Sequence, residues 1–285
     1  MLSFIRTKLK RNVPEELIHR IREFSVKSGI VRLPQHAYPE QFLSKMDCPE
    51  RNWAERFFLI ASTPRCGSHY LGHMLGATGE CGVPLEYFHK GNKRYWGRRF
   101  RSTRMDDLFP KFVRYRTSPN GTFTLKAHWY QYEPYIASLD RLTRGVGFKK
   151  IVWISRRNQL SQSISKVIAE QTGVWISGAK PKAEAKFDYN SIVRSADSIR
   201  RSNLHWLKYI NALPPGRSIS ILYEDLLSDE TVRDNVSEFL ELNSKLASPD
   251  RTQKQGSNIN ASWKKRFIDE VHDEDRWILG PPSWL

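Results

Sequence analysis

The sequence predicts an α/β fold in which a central parallel sheet is flanked by helices. Three observations carry this. Short apolar runs that read as buried strands recur along the chain. Each is followed by a stretch with helical periodicity, and Gly- or Pro-containing turns separate the two. Strands that alternate with helices run parallel, because each helix carries the chain back to the edge it left.

The first strand is FFLIAS, residues 57–62. Five of its six residues are apolar, which suits burial on both faces. TPRCGSHYLGHMLGATG follows, with Tyr70, Leu71, Met74 and Leu75 at helical spacing and Gly79 as a C-terminal stop. A second strand, TFTLKAHW at 122–129, comes after the turn Pro119-Asn120-Gly121. KKIVWIS at 149–155 is the third, with a helix from about 158 to 170. Ile192, Val193, Ala196, Ile199, Trp206, Leu207 and Ile210 give 190–211 a helical stripe, which Pro214-Pro215-Gly216 ends. SISILYE at 218–224 is a fourth strand, and a fourth helix covers 229–241. Residues 51–285 read as one domain. Residues 1–50 read as a helical appendage, with Leu17, Ile18, Ile21 and Phe24 on one face. That face is short and Glu15 and Glu16 interrupt the basic run, so docking on the main domain is favoured over peripheral contact with an anionic membrane.

The 285 residues are 39% hydrophobic and 27% charged, with 9 Trp, 11 Tyr and 14 Phe, a composition that excludes a disordered chain. No apolar run approaches the roughly 20 residues of a membrane span. The N-terminal residues lack a secretory apolar block, and the three cysteines, Cys48, Cys66 and Cys81, show no CxxC spacing. A reducing, cytoplasmic location is expected, with no structural zinc. The formal charge is +16, from 46 Lys and Arg against 30 Asp and Glu, a balance that attracts polyanions. Nine basic residues and two acids fall within 93–116, expected as a loop-rich excursion from the core.

The most informative segment is Thr63-Pro64-Arg65-Cys66-Gly67-Ser68-His69, where the first strand hands over to a helix. Backbone N–H groups converge at such a junction and form a site for a phosphate dianion. Gly67 lets the backbone approach closely, Ser68 and His69 add side-chain donors, and Arg65 adds a planar cationic fork. An ATP-type loop would need GxxxxGK[ST], and its lysine is missing.

FFLIASTPRCGSHYLGHMLGATGECGVPLEYF resembles the 5′-phosphosulfate-binding signature of sulfotransferases and is most similar to the bacterial trehalose 2-sulfotransferase family. There a strand, a PRSGST-type loop, a helix ending in a TG pair and a Pro-x-Glu-Phe stretch follow in the same order. NGTFTLKAHWYQ, ISRRNQLSQSISKVIAEQTGVW and ILYEDLLSDETVRDNVSEFLEL resemble later elements, so the likeness runs from about Phe57 to Phe267. Cys66 and His69 depart from the usual Ser and Thr. The resemblance implies a three-layer P-loop-like fold and a carbohydrate or glycolipid O-sulfotransferase. It implies 3′-phosphoadenosine 5′-phosphosulfate (PAPS) as donor, no metal, and a homodimer as one assembly.

The ribose 3′-phosphate of such a donor needs its own cation. Arg156 or Arg157 with Ser165 fits that need, and the sequence leaves the choice between the arginines open. Lys254, before Gly256, resembles the basic segment that folds over the donor. Glu86 matches the family's proposed general base, and its apolar neighbours are expected to raise its pKa. His69 and His128 are rival bases, otherwise a phosphate donor and an acceptor-site residue. Lys126, on an interior strand, needs an anionic partner. Lys126, His128, Trp129, Gln131 and Trp175 are the acceptor-site candidates. The charge and the basic segment suggest an anionic acceptor. A nucleotide kinase-like phosphotransferase, a basic nucleic-acid-binding protein and a glycan lectin are the rival readings; the first lacks its lysine, and no nucleic-acid recognition motif supports the second.

Overall fold

The computed structural model describes residues 37–48, 52–249 and 258–284. The helix expected around Leu17 to Phe24 and the candidate Lys254 lie outside the described residues. Within them, β1 (Arg56–Ser62) leads into α1 (Ser68–Ala77), followed by α2 (Lys90–Phe100) and α3 (Met105–Arg116). Next come β2 (Thr122–His128), β3 (Phe148–Ser155), α4 (Gln159–Thr172) and α5 (Tyr189–Asn211). β4 (Ser218–Leu222), α6 (Tyr223–Ser228), α7 (Glu230–Phe239) and α8 (Asn258–Glu270) complete the order.

The four strands form one parallel sheet in the order β2-β1-β3-β4, flanked by helices in a P-loop-like arrangement. β1 is apolar from Phe57 to Ala61 because both its faces are covered. Phe57, Leu59 and Ala61 join a core with Trp96 of α2, Phe109 and Phe112 of α3 and Trp206 of α5. Phe58 and Ile60 face the opposite core, with Leu71, Met74 and Leu75 of α1 and Val236 of α7. The chain leaves β1 for β2 on one side and returns to β3 on the other. The carboxyl ends of β1 and β3 therefore flank the topological switch point, where open α/β sheets bind ligands.

Two expected strands end early. The β3–β4 pairing closes at Ser155↔Leu222, and the β1–β2 pairing at Ser62↔His128. Past those positions no ladder partner remains, so Tyr223 opens α6 and Trp129 opens the short helix Trp129–Tyr132.

The basic stretch 93–116 is not a loop-rich excursion. It is α2 and α3, which bury Trp96, Leu108, Phe109, Phe112 and Val113 at helical spacing. The buried guanidiniums of Arg99 and Arg116 both pair with Asp47, and both lie over the Trp96 ring. Arg116 also donates to the Gln41 carbonyl at 3.0 Å. Residues 37–48 are thus packed into the main core, with Phe42 inside it.

Candidate active site

Residues 63–67 join β1 to α1 at the switch point. Two left-handed residues, Arg65 (φ 64°) and Gly67 (φ 93°), curl this loop. A Cβ on Gly67 would sit 2.0 Å from Cδ2 of Tyr223, so glycine is required by space as well as by backbone angle. The Gln162 amide of α4 fixes the loop from the side, donating to Thr63 Oγ1 (2.9 Å) and to the Pro64 carbonyl (2.7 Å). Thr63 is fully buried in this role. Cys66 turns its thiol into the core beside Phe58 and Ile60, and burial pushes that thiol up. Its side chain therefore offers nothing to a phosphate.

A cavity of about 760 Å³ opens over this loop. Among the candidates, Pro64, Arg65, Gly67, Ser68, His69, Glu86, His128, Arg156, Ser165 and Trp175 line it. Arg65 donates through Nε to Ser165 Oγ (2.9 Å) and through Nη1 to the Trp175 carbonyl (2.6 Å). Arg156 Nη1 approaches the Arg65 carbonyl at 3.3 Å. Burial, reinforced by the Arg156 charge, lowers Arg65 to about 10. Glu224 Oε1, 3.5 Å from Arg156 Nε, offsets part of the repulsion between these two guanidiniums, and a bound anion would offset more. Arg157 points away. It forms a two-pronged pair with Asp225 (2.9 and 3.0 Å), and its backbone N–H donates to Glu224.

Glu86 lines the same cavity, its Oε1 3.9 Å from Nε2 of His69. The backbone at Leu85 bridges to Leu125 of β2, and the Lys126 N–H donates to the Leu85 carbonyl at 3.1 Å. That bridge sets Glu86 beside Lys126, and Oε1 lies 3.1 Å from Nζ. Lys126 is 1% exposed and Glu86 5%, so the ion pair is internal. Gln131 Nε2 donates to Oε2 at 2.8 Å, and Gln131 Oε1 accepts from the His128 N–H. His128 Nε2 lies 3.7 Å from Glu86 Oε1, and its Nδ1 meets Ser62 Oγ at 2.9 Å. His69 Nδ1 is 3.0 Å from Lys126 Nζ, so it accepts from the ammonium. Burial and the Lys126 charge hold His69 well below its ordinary value.

The raised pKa expected for Glu86 is not found. Burial alone would push the carboxyl up, but Lys126, His128 and His69 together hold it well below the usual carboxylate range. The apolar neighbours visible in sequence face elsewhere: Tyr87 and Phe88 belong to the core. Burial lowers Lys126, with Glu86 offsetting part of that shift.

Trp129 is not at the cavity. Its ring stacks on His205 (5.2 Å) and meets Trp206 edge-on (5.0 Å). Gln131 and Lys126 reach the site through Glu86 and not through the cavity wall. Sequence reasoning passed over Tyr38, Tyr130, Lys166 and Tyr223, which also line the cavity. Lys166 and Tyr223 adjoin or lie within quoted motifs and had a signal. Tyr38 had none, because its contacts with the site, edge-on to His69 and His73, are made in space and not along the chain. Among the described residues no group of three or more His, Cys, Asp or Glu could hold a metal ion, and no helix is long and apolar enough to cross a membrane.

No curated protein matches the chain. It is similar to the solved sulfotransferase from Alicyclobacillus acidocaldarius, with 15% identity over 81% of this chain and 99% of that one, at a TM-score of 0.47. The sulfotransferase domain of the Synechococcus PCC 7002 olefin synthase matches at 16% identity over 79% and 91%, TM-score 0.47. Mouse sulfotransferase SULT7A1, solved with PAP, matches at 13% identity over 85% and 93%, TM-score 0.42. The family model of the Stf0 sulphotransferases matches residues 57–270, most of the chain, and the chain therefore belongs to the Stf0 sulphotransferase family.

Proposed function

We propose that this sulfotransferase takes its sulfuryl group from PAPS and transfers it to a hydroxyl of a carbohydrate or glycolipid, with Glu86 as general base. The observation that carries the reading is one cavity lined by Arg65 and Arg156 and also by Glu86, whose Oε1 lies 3.1 Å from Lys126 Nζ. The donor set suits a nucleotide with a phosphate at each end. The loop N–H groups and Arg65 would hold the sulfated 5′ end, and Arg156 with Ser165 the 3′-phosphate. PAPS supplies a sulfuryl group on a phosphate leaving group. Arg65 and the loop stand where negative charge grows as that bond breaks, and this preorganisation favours the transition state.

Glu86 accepts the acceptor hydroxyl's proton. Its pairing with Lys126 makes it a weak base, but a loose transition state asks little of the nucleophile until late, so placement outweighs basicity. Lys126 and Gln131 fix both carboxylate oxygens. A sugar acceptor is supported by Tyr130, which is 56% exposed, lines the cavity, and has its hydroxyl bonded by Gln131 at 3.2 Å. Aromatic rings at binding surfaces offer a rigid apolar face beside a polar handle.

Calorimetric titration with PAP, the desulfated nucleotide, tests the donor site. Arg156→Ala is expected to weaken binding about ten- to a hundredfold, the worth of a charge-assisted contact. Arg157→Ala is expected to change it by less than about twofold, since that side chain serves an exposed ion pair. The opposite ranking would contradict the assignment.

A further inference from the structure

The cationic residues of α2 divide into two sets. Arg99 is buried against Asp47 and the core aromatics, and Lys93 Nζ reaches the Tyr135 hydroxyl at 3.3 Å. Lys90, Arg94 and Arg98 are exposed and lie at i, i+4 and i+8, opposite the buried Asn92, Trp96 and Arg99. This spacing places them on one face as a ridge, roughly 12 Å from first to last along the helix axis. Arg101, also exposed, caps the end. The helix dipole favours Arg98, in the last turn, but not Lys90, in a first turn that holds cations and no acid.

The ridge is also bolted to the site. The Glu86 carbonyl accepts from the His89 N–H (3.1 Å) and from the Asn92 amide of α2 (2.9 Å). His89 lines the cavity and caps α2 by accepting from the Gly91 N–H. Lys90 is the next residue. The proposed base and the start of the ridge therefore belong to one rigid unit.

We propose that the exposed face of α2 binds the anionic remainder of an acidic oligosaccharide acceptor whose hydroxyl is presented to Glu86; this rests on the acceptor reading above. Carboxylates or phosphates on successive sugars would meet the evenly spaced cations. A bilayer is the poorer fit. Membrane-surface helices couple charge to an apolar face, and none of the exposed large apolar side chains among the described residues lies on α2 or α3.

The test titrates the protein, with and without PAP, with a hyaluronan octasaccharide, a neutral malto-octaose and phosphatidylglycerol vesicles. The octasaccharide should bind more tightly than malto-octaose, and its affinity should fall with added salt. The exposed triple variant Lys90→Gln/Arg94→Gln/Arg98→Gln should keep its melting temperature and PAP affinity while losing octasaccharide affinity about tenfold or more at low salt. Equal binding of the two glycans, undiminished octasaccharide binding by the triple variant, or ridge-dependent binding of vesicles alone would each overturn the proposal. Ridge-dependent octasaccharide binding by a protein that ignores PAP would uphold the glycan surface and remove the donor reading instead.

Discussion

Glu86→Gln is expected to lower the rate of sulfuryl transfer by about 10²–10⁴, the usual contribution of a positioned base, while PAP affinity stays within about twofold. The substitution keeps the shape and the Gln131 contact but removes the charge that balances Lys126. A buried ammonium without its partner is costly, about 3–5 kcal/mol when one member of such a pair is removed. Burial already lowers Lys126, so it can shed its proton and escape part of that loss. The melting temperature should therefore fall along with activity. The double variant Glu86→Gln/Lys126→Met should recover stability without recovering transfer, which separates the chemical role from the structural one. A radiolabelled transfer assay on both variants, beside thermal unfolding, makes the comparison. The pH profile adds a sign. Glu86 sits well below the usual carboxylate range and remains ionised on mild acidification, so kcat/KM should show no acid limb between about pH 5 and 7. A limb near about 6.5, the ordinary imidazole value, would take the base role away from Glu86. Normal turnover in Glu86→Gln would reject the base outright.

Gly67→Ala is expected to abolish donor binding. An L side chain at φ 93° carries a backbone cost of about 1–2 kcal/mol. The larger effect is steric. The new methyl would lie 2.0 Å from Tyr223 Cδ2 and 2.8 Å from Cγ. Cγ lies too near the backbone for a ring flip to clear it, and Tyr223 is pinned where β4 passes into α6. The loop must shift, and the N–H groups and Arg65 shift with it. PAP affinity should drop by more than about a hundredfold, since misplaced donors forfeit several hydrogen bonds at once. Gly79→Ala is the control. It has the same backbone sign (φ 72°) but nothing within 4 Å of the added methyl, so it should cost stability alone. Equal PAP affinity in wild type and Gly67→Ala would mean that the loop does not hold the nucleotide.

What the sequence disclosed follows from how local each signal is. Phe57 to Ser62 and the loop behind them are legible because burial on both faces and the glycine turn are written in consecutive residues. The fate of Lys126 is legible for a related reason: a lysine in an apolar strand demands a partner, whatever that partner is. The charge state of Glu86 is not legible, because Lys126 and His128 arrive through the Leu85–Leu125 bridge and not through neighbours in the chain. The segment 93–116 reads as surface because its charge masks the apolar spacing of Trp96, Leu108, Phe109 and Phe112, and because the partner of Arg99 and Arg116 is the distant Asp47. Arg156 and Arg157 are indistinguishable in sequence; Asp225 on α6 separates them in space. Trp129 and Trp175 look alike as sugar platforms until the ladder ends at His128 and turns Trp129 toward Trp206.

The central claim is that residues 63–69 capture the 5′ end of the sulfuryl donor. A crystal structure of the protein soaked in PAP tests it most directly. The account predicts the 5′-phosphate on the loop N–H groups beside Arg65 and the 3′-phosphate on Arg156. Nucleotide density at another place on the protein, or phosphates resting on Arg157, would contradict it.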